Sequence, residues 1–134
     1  MSEDPEQLLR EAQKLLEEED FGRAAYQEFL AAKAYASRKE FEKAAEIYER
    51  AAKHFIKVYD YEYSANSYMN AAKLYNATKN YQKAKELFLK AAEYFKLLRD
   101  DTKRKQCLTS AARCASMLGD EEEAEKLRKM AQTS

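Results

Sequence analysis

A chain of 134 residues is long enough to bury one substantial core, and its 24 acidic residues balance its 24 basic ones to a net charge of zero. That balance argues against a dedicated nucleic-acid binder, which carries a basic excess to displace counterions. Two Gly and one Pro leave little for tight β-turns or flexible linkers, and no apolar run approaches the roughly 20 residues of a membrane span. The acidic MSEDPEQ start is unlike a secretion signal, so the expectation is a soluble cytoplasmic protein without membrane insertion.

The first predicted element is a helix over residues 5–18. Asp4 can cap it, and Pro5 sits at the first helical position, where a missing N–H costs nothing. Leu8, Leu9, Ala12, Leu15 and Leu16 form its apolar stripe. From there the chain aligns with itself in rows of twenty. Ala-Ala recurs at 31–32, 51–52, 71–72, 91–92 and 111–112, and Phe21, Phe41, Tyr61 and Tyr81 open successive rows. Asp20, Glu40, Asp60, Asn80, Asp100 and Asp120 close them, polar residues suited to accept from the free N–H groups of a first helical turn. Asp120 with Glu123 makes a capping-box pattern, and Gly119 before it suits a left-handed helix terminus. Each row therefore predicts a helix of about 16 residues.

Within rows the apolar residues fall three and four apart, as in Ala84, Leu87, Phe88, Ala91, Ala92 and Phe95. Short connections force neighbouring helices to run antiparallel. Small Ala residues at the crossings then let backbones approach, with an aromatic of the next helix filling the gap beside each. The rows opening at 41, 81 and 121 share a small residue three places in (Ala44, Ala84, Ala124), so the true repeat is a pair of rows. The expectation is one domain over 1–134: an N-terminal capping helix, then hairpins at 21–58, 61–98 and 101–132. The final helix carries only Ala124, Leu127, Met130 and Ala131 amid charge, as a capping helix should. A stack capped at both ends can be monomeric.

These residues resemble tetratricopeptide (TPR) repeats. Tyr68, Ala71, Ala72 and Tyr75 match the series of that family's first helix, and Tyr81, Ala84, Phe88 and Ala91 that of its second. The likeness covers residues 21–132 and thins where Ala115 and Arg128 stand at aromatic positions. It implies an all-α fold, a right-handed α-solenoid of antiparallel helix pairs with about seven helices. The long repeat, with AAEIYERAAKHF and SANSYMNAAKLY, resembles more closely the soluble attachment proteins (SNAPs) that recruit a disassembly ATPase to SNARE bundles. SNAPs carry an apolar membrane-touching loop near the N-terminus; the comparable turn here is the acidic EEEDFGRA.

Little chemistry is on offer. His54 is the only histidine, which removes His pairs and most catalytic triads, and no phosphate loop, Cys-x-x-Cys or zinc-helix motif occurs. Cys107 and Cys114 lie seven apart on one predicted helix, roughly 10 Å along its axis, too far to pair. They read as half-buried thiols. No enzyme, metal or cofactor is expected.

Protein binding remains. The TPR resemblance places the first helix of each hairpin on a concave face and implies ten groove residues: Tyr26, Phe29, Lys33, Asn66, Met69, Lys73, Asn76, Gln106, Thr109 and Arg113. Lys33, Lys73 and Arg113 form a cationic column with a forty-residue period, spaced roughly 16–20 Å if helix axes stand in a straight row. That column predicts an acidic peptide or a helical surface as partner. Phe29 and Thr109 stand where the family's chaperone-tail clamp needs lysines, which disfavours that ligand. Tyr26 and Tyr63 are the expected surface tyrosines. The alternatives are an engineered or purely structural scaffold, suggested by the strict register, and nucleic-acid binding through the basic run Lys103, Arg104, Lys105.

Overall fold

The structure, a computed structural model, describes residues 4–133. Seven helices make up the described chain: α1 (Pro5–Glu17), α2 (Phe21–Ser37), α3 (Phe41–Lys57), α4 (Tyr61–Ala77), α5 (Tyr81–Leu97), α6 (Asp101–Met117) and α7 (Glu121–Gln132). The five inner helices are each 17 residues long, one more than the pattern predicts, and three residues join each to the next. Seventeen and three make the twenty-residue clock.

The connection is built the same way six times. The second linker residue is left-handed: Glu19, Lys39, Tyr59, Lys79, Arg99 and Gly119 all have positive φ, between 58° and 85°. This lets the third linker residue donate its N–H to the carbonyl five positions back. Asp20 reaches Leu15, Glu40 reaches Tyr35, Asp60 reaches Phe55, Asn80 reaches Tyr75, Asp100 reaches Phe95 and Asp120 reaches Ala115, at 2.8–3.0 Å. The same residue then caps the next helix. The side chains of Asp20, Asp60, Asn80, Asp100 and Asp120 each accept from the backbone N–H three residues on. Glu40 occupies the same place without a side-chain bond, its extra methylene carrying the carboxylate past the donor. Gly119 is left-handed as its sequence context predicts; the other five positions gave no such sign, because Glu, Lys, Tyr and Arg are unusual there.

So tight a reversal lays each helix antiparallel to the one before it, and each packs chiefly on its chain neighbours. The Ala pairs lie at these crossings. Ala31, Ala32, Ala51, Ala52, Ala71, Ala72, Ala91 and Ala111 are wholly buried, and Tyr35, Phe55, Tyr75 and Phe95 are buried beside them. Alternate helices meet through longer side chains, which sorts the stack into two layers. In one layer Tyr26 of α2 meets Tyr63 of α4, and Lys103 of α6 donates to Asn66 of α4. In the other, Lys83 of α5 pairs with Glu49 of α3 and Lys85 of α5 with Glu123 of α7. Among the described residues no helix is long and apolar enough to cross a membrane.

Among the described residues, Glu28, Ser64 and Ser67 are polar side chains buried in this core. Ser64 donates its hydroxyl to the Ala52 carbonyl at 3.0 Å, tying α4 to α3. Ser67, one turn on, has a buried Oγ without a hydrogen-bond partner among the described residues. Glu28 of α2 is completely buried, and both its oxygens are held from α3, by Arg50 Nε at 3.1 Å and His54 Nδ1 at 2.6 Å. His54 also stacks on Phe21, their ring centroids 6.0 Å apart. The lone histidine is thus a strut between two helices.

These contacts set measurable stabilities. Glu40→Asp should place a carboxylate within reach of the α3 first turn and raise the unfolding free energy by about 0.5–1 kcal/mol in urea titrations. The two serines should diverge: Ser64→Ala loses about 1 kcal/mol with its interhelix bond, whereas Ser67→Ala removes an unpaired hydroxyl and should be neutral or stabilising. Equal losses for both would contradict the assignment. Burial pushes the phenols of Tyr48, Tyr68 and Tyr75 up to about 12 from the usual 10.0, helped at Tyr68 by Tyr94 and Glu49 and at Tyr75 by Glu49, Glu46 and Glu42. The unfolded chain releases these protons first, so their contribution is complete below about pH 10 and disappears as the pH rises to about 12. Tyr48→Phe should lessen that alkaline loss of stability.

Candidate functional site

Helical spacing puts the ten groove residues on one face of each of α2, α4 and α6. Tyr26, Phe29 and Lys33 follow one another at three and four on α2; Met69, Lys73 and Asn76 do so on α4; Gln106, Thr109 and Arg113 do so on α6. The structure treats these positions differently at the two seams of the layer.

The α2–α4 seam is filled. Phe29 is half-buried, set edge-on between Tyr48 at 5.5 Å and Tyr63 at 5.4 Å between ring centroids, so it packs the junction of three helices. Tyr63 in turn stacks on Phe55 at 5.0 Å. Tyr26 lies over this cluster with 45% of its surface exposed, and Tyr63 retains 39%. Both are surface tyrosines that the sequence predicts, and Tyr59, 78% exposed in a turn, is one that it does not. Together Tyr26 and Tyr63 form an aromatic ledge with hydroxyls free to face a partner.

The α4–α6 seam is open. Met69 and Thr109 hold the places that Phe29 holds on α2, and neither fills the space an aromatic ring would. Between the two helices lies a cavity of about 430 Å³. Met69 and Lys73 line it from α4, Gln106, Thr109 and Arg113 from α6, and Phe88 and Cys107 lie at its base. Five of the ten residues therefore meet at one opening. Lys105 and Ser110 also line it. Neither is among the ten groove residues, and the sequence marks Lys105 only as part of a basic run, although Ser110 stands four residues after Gln106 and that spacing marks the same face.

The remaining positions lie elsewhere. Lys33 is exposed on α2 away from the cavity. Asn66 uses its amide within the seam, donating to the Glu62 carbonyl at 2.9 Å and receiving Lys103 Nζ at 3.5 Å. Asn76 faces Cys114, whose Sγ lies 3.7 Å from its Oδ1. Lys33, Lys73 and Arg113 are all exposed, and among the described residues none is paired with a carboxylate. Lys105, by contrast, pairs with Asp101 at 3.2 Å. Lys73 and Arg113 line the same cavity from the two helices.

The thiols offer little reactivity. Cys107 and Cys114 are fully buried, not half-buried as the sequence suggests, because both turn inward among the Ala positions of α6. Burial pushes the Cys107 thiol up to about 12, against the opposing pull of Lys73, and raises that of Cys114. Among the described residues no cluster of His, Cys, Asp or Glu has the makings of a metal site.

Comparison with known proteins agrees with this architecture. The family described as Tetratricopeptide repeat matches twice, over residues 23–96 and 63–132. Among solved structures, BtubC (BKLC) from P. vanneervenii superposes with a TM-score of 0.62 at 20% identity, covering 95% of this chain and 52% of that one. The chain thus spans about half the length of that protein, and the likeness is one of fold. No curated protein matches the sequence. Tetratricopeptide repeats are generally non-catalytic scaffolds that mediate protein–protein interaction. With the family pattern running through six of the seven helices, the chain belongs to the tetratricopeptide repeat family.

Proposed function

We propose that the chain is a protein-interaction module that receives a peptide or helical segment along the concave face formed by α2, α4 and α6. The observation that carries this reading is the uncompensated column of Lys33, Lys73 and Arg113 running past the aromatic ledge and the open seam. Exposed cations without partners on one face, beside exposed tyrosines, favour an acidic protein ligand. The repeat grouping that fits this reading takes α1 as an N-terminal cap and α2–α3, α4–α5 and α6–α7 as the hairpins. The protein would act in the cytoplasm as a monomer, and its SNAP-like features would reflect a shared scaffold. Residues other than glycine at five left-handed positions count against an idealised, engineered repeat.

The test begins with affinity capture and identification of partners by mass spectrometry, followed by titration of a purified partner against the protein and against Lys33→Glu, Lys73→Glu and Arg113→Glu combined. The triple variant should bind at least about tenfold more weakly, with a flatter dependence on salt. Unchanged affinity and salt slope would remove this face from the account.

A further inference from the structure

The open α4–α6 seam is lined without a carboxylate. Lys73 and Arg113 approach it from opposite helices. Between these cations stand neutral donors, the hydroxyls of Thr109 and Ser110 and the amide of Gln106, while Met69 and Phe88 supply an apolar wall. Lys105 adds a third ammonium, already held by Asp101. Grooves elsewhere on the stack, such as those at residues 120–129 and 39–43, are mixed in charge. That between α5 and α7 sets Glu93 and Glu123 among Lys96, Arg104 and Lys126.

A single carboxylate would leave one of the two unpaired cations uncompensated. A phosphate monoester carries nearly two negative charges and three acceptor oxygens, which match two cations and a set of hydroxyl and amide donors. At about 430 Å³ the space exceeds what a bare phosphate needs and leaves room for the side chain that bears it. We infer that this seam is a binding site for a phosphorylated side chain of a partner peptide: Lys73 and Arg113 grip the phosphoryl oxygens, Thr109, Ser110 and Gln106 donate to them, and the carbon portion lies on Met69. The inference rests on the α2–α4–α6 face being the docking face and adds the chemical class of what it takes. Lys33 belongs to the same charge column but lies outside the cavity, which separates the two readings.

The experiment uses the whole chain and short synthetic peptides of alanine around one central residue: phosphotyrosine, phosphoserine, or unmodified tyrosine. Inorganic phosphate serves as a fourth probe. Calorimetric titration at about 0.15 M salt should show at least one phosphopeptide binding about tenfold or more tighter than both the unmodified peptide and inorganic phosphate. Tighter phosphotyrosine assigns the ring to the Met69 wall, and tighter phosphoserine assigns a short side chain; either supports the site. Arg113→Glu and Lys73→Glu should each lose about tenfold, while Lys129→Glu, exposed on α7 away from the seam, binds as the parent does. All three are surface changes, and an unaltered helical circular dichroism spectrum confirms the fold. Equal affinity for phosphorylated and unmodified peptides overturns the inference, as does inorganic phosphate binding as tightly as the phosphopeptides. A natural partner that docks through Lys33, Lys73 and Arg113 without phosphate would overturn this inference alone and leave the proposed function standing.

Discussion

At each of the six turns one backbone N–H reaches the carbonyl five residues behind it, and the residue that donates it goes on to cap the next helix. Ending one helix and starting another with a single residue leaves no slack in the connection. One constraint follows. The residue before it must adopt left-handed backbone, which for a side chain other than glycine costs about 1 kcal/mol each. The five inner helices, bounded by such turns at both ends, also share one length of 17 residues. Five such residues are held against that cost, so packing of the helices over-determines the turns.

Packing is dense because its small and large residues alternate by layer. Wholly buried alanines bring the backbones together, and the aromatics at 35, 55, 75 and 95 lie where their own carbonyls close the turns. One residue type therefore serves both the turn and the core, and the column ends at Ala115, where the stack runs into its last helix. Among the buried side chains described, Glu28, held by Arg50 and His54, is the one that is charged. Desolvating a carboxylate is worthwhile only where both oxygens find donors, and its geometry pins α2 to α3 in a single register.

Surface function grows out of unevenness between copies of the repeat. Where α2 meets α4, Phe29 and Tyr63 close the seam; where α4 meets α6, Met69 and Thr109 leave it open, and Lys103 stands at the place of Tyr63. A repeat protein made of identical units would present the same surface at each step. Here one step is a ledge of rings and the next a cavity edged with positive charge.

Much of this was written in the amino-acid order itself. The period of twenty, the all-helical class, the capping column, the buried alanines and the exposed Tyr26 and Tyr63 follow from local rules, because helix caps, hydrophobic spacing and backbone crossings depend on near neighbours. Residues that meet from different helices were a matter for the assembled stack. Glu28 reads as an ordinary surface acid until α3 covers it, and Lys39 or Tyr59 gives no sign of left-handed backbone until the next helix demands it. The cationic column looks uniform along the chain, yet Lys73 and Arg113 share an opening while Lys33 stands apart. Side-chain volume at the seams made that division, and volume acts only when the helices are in contact.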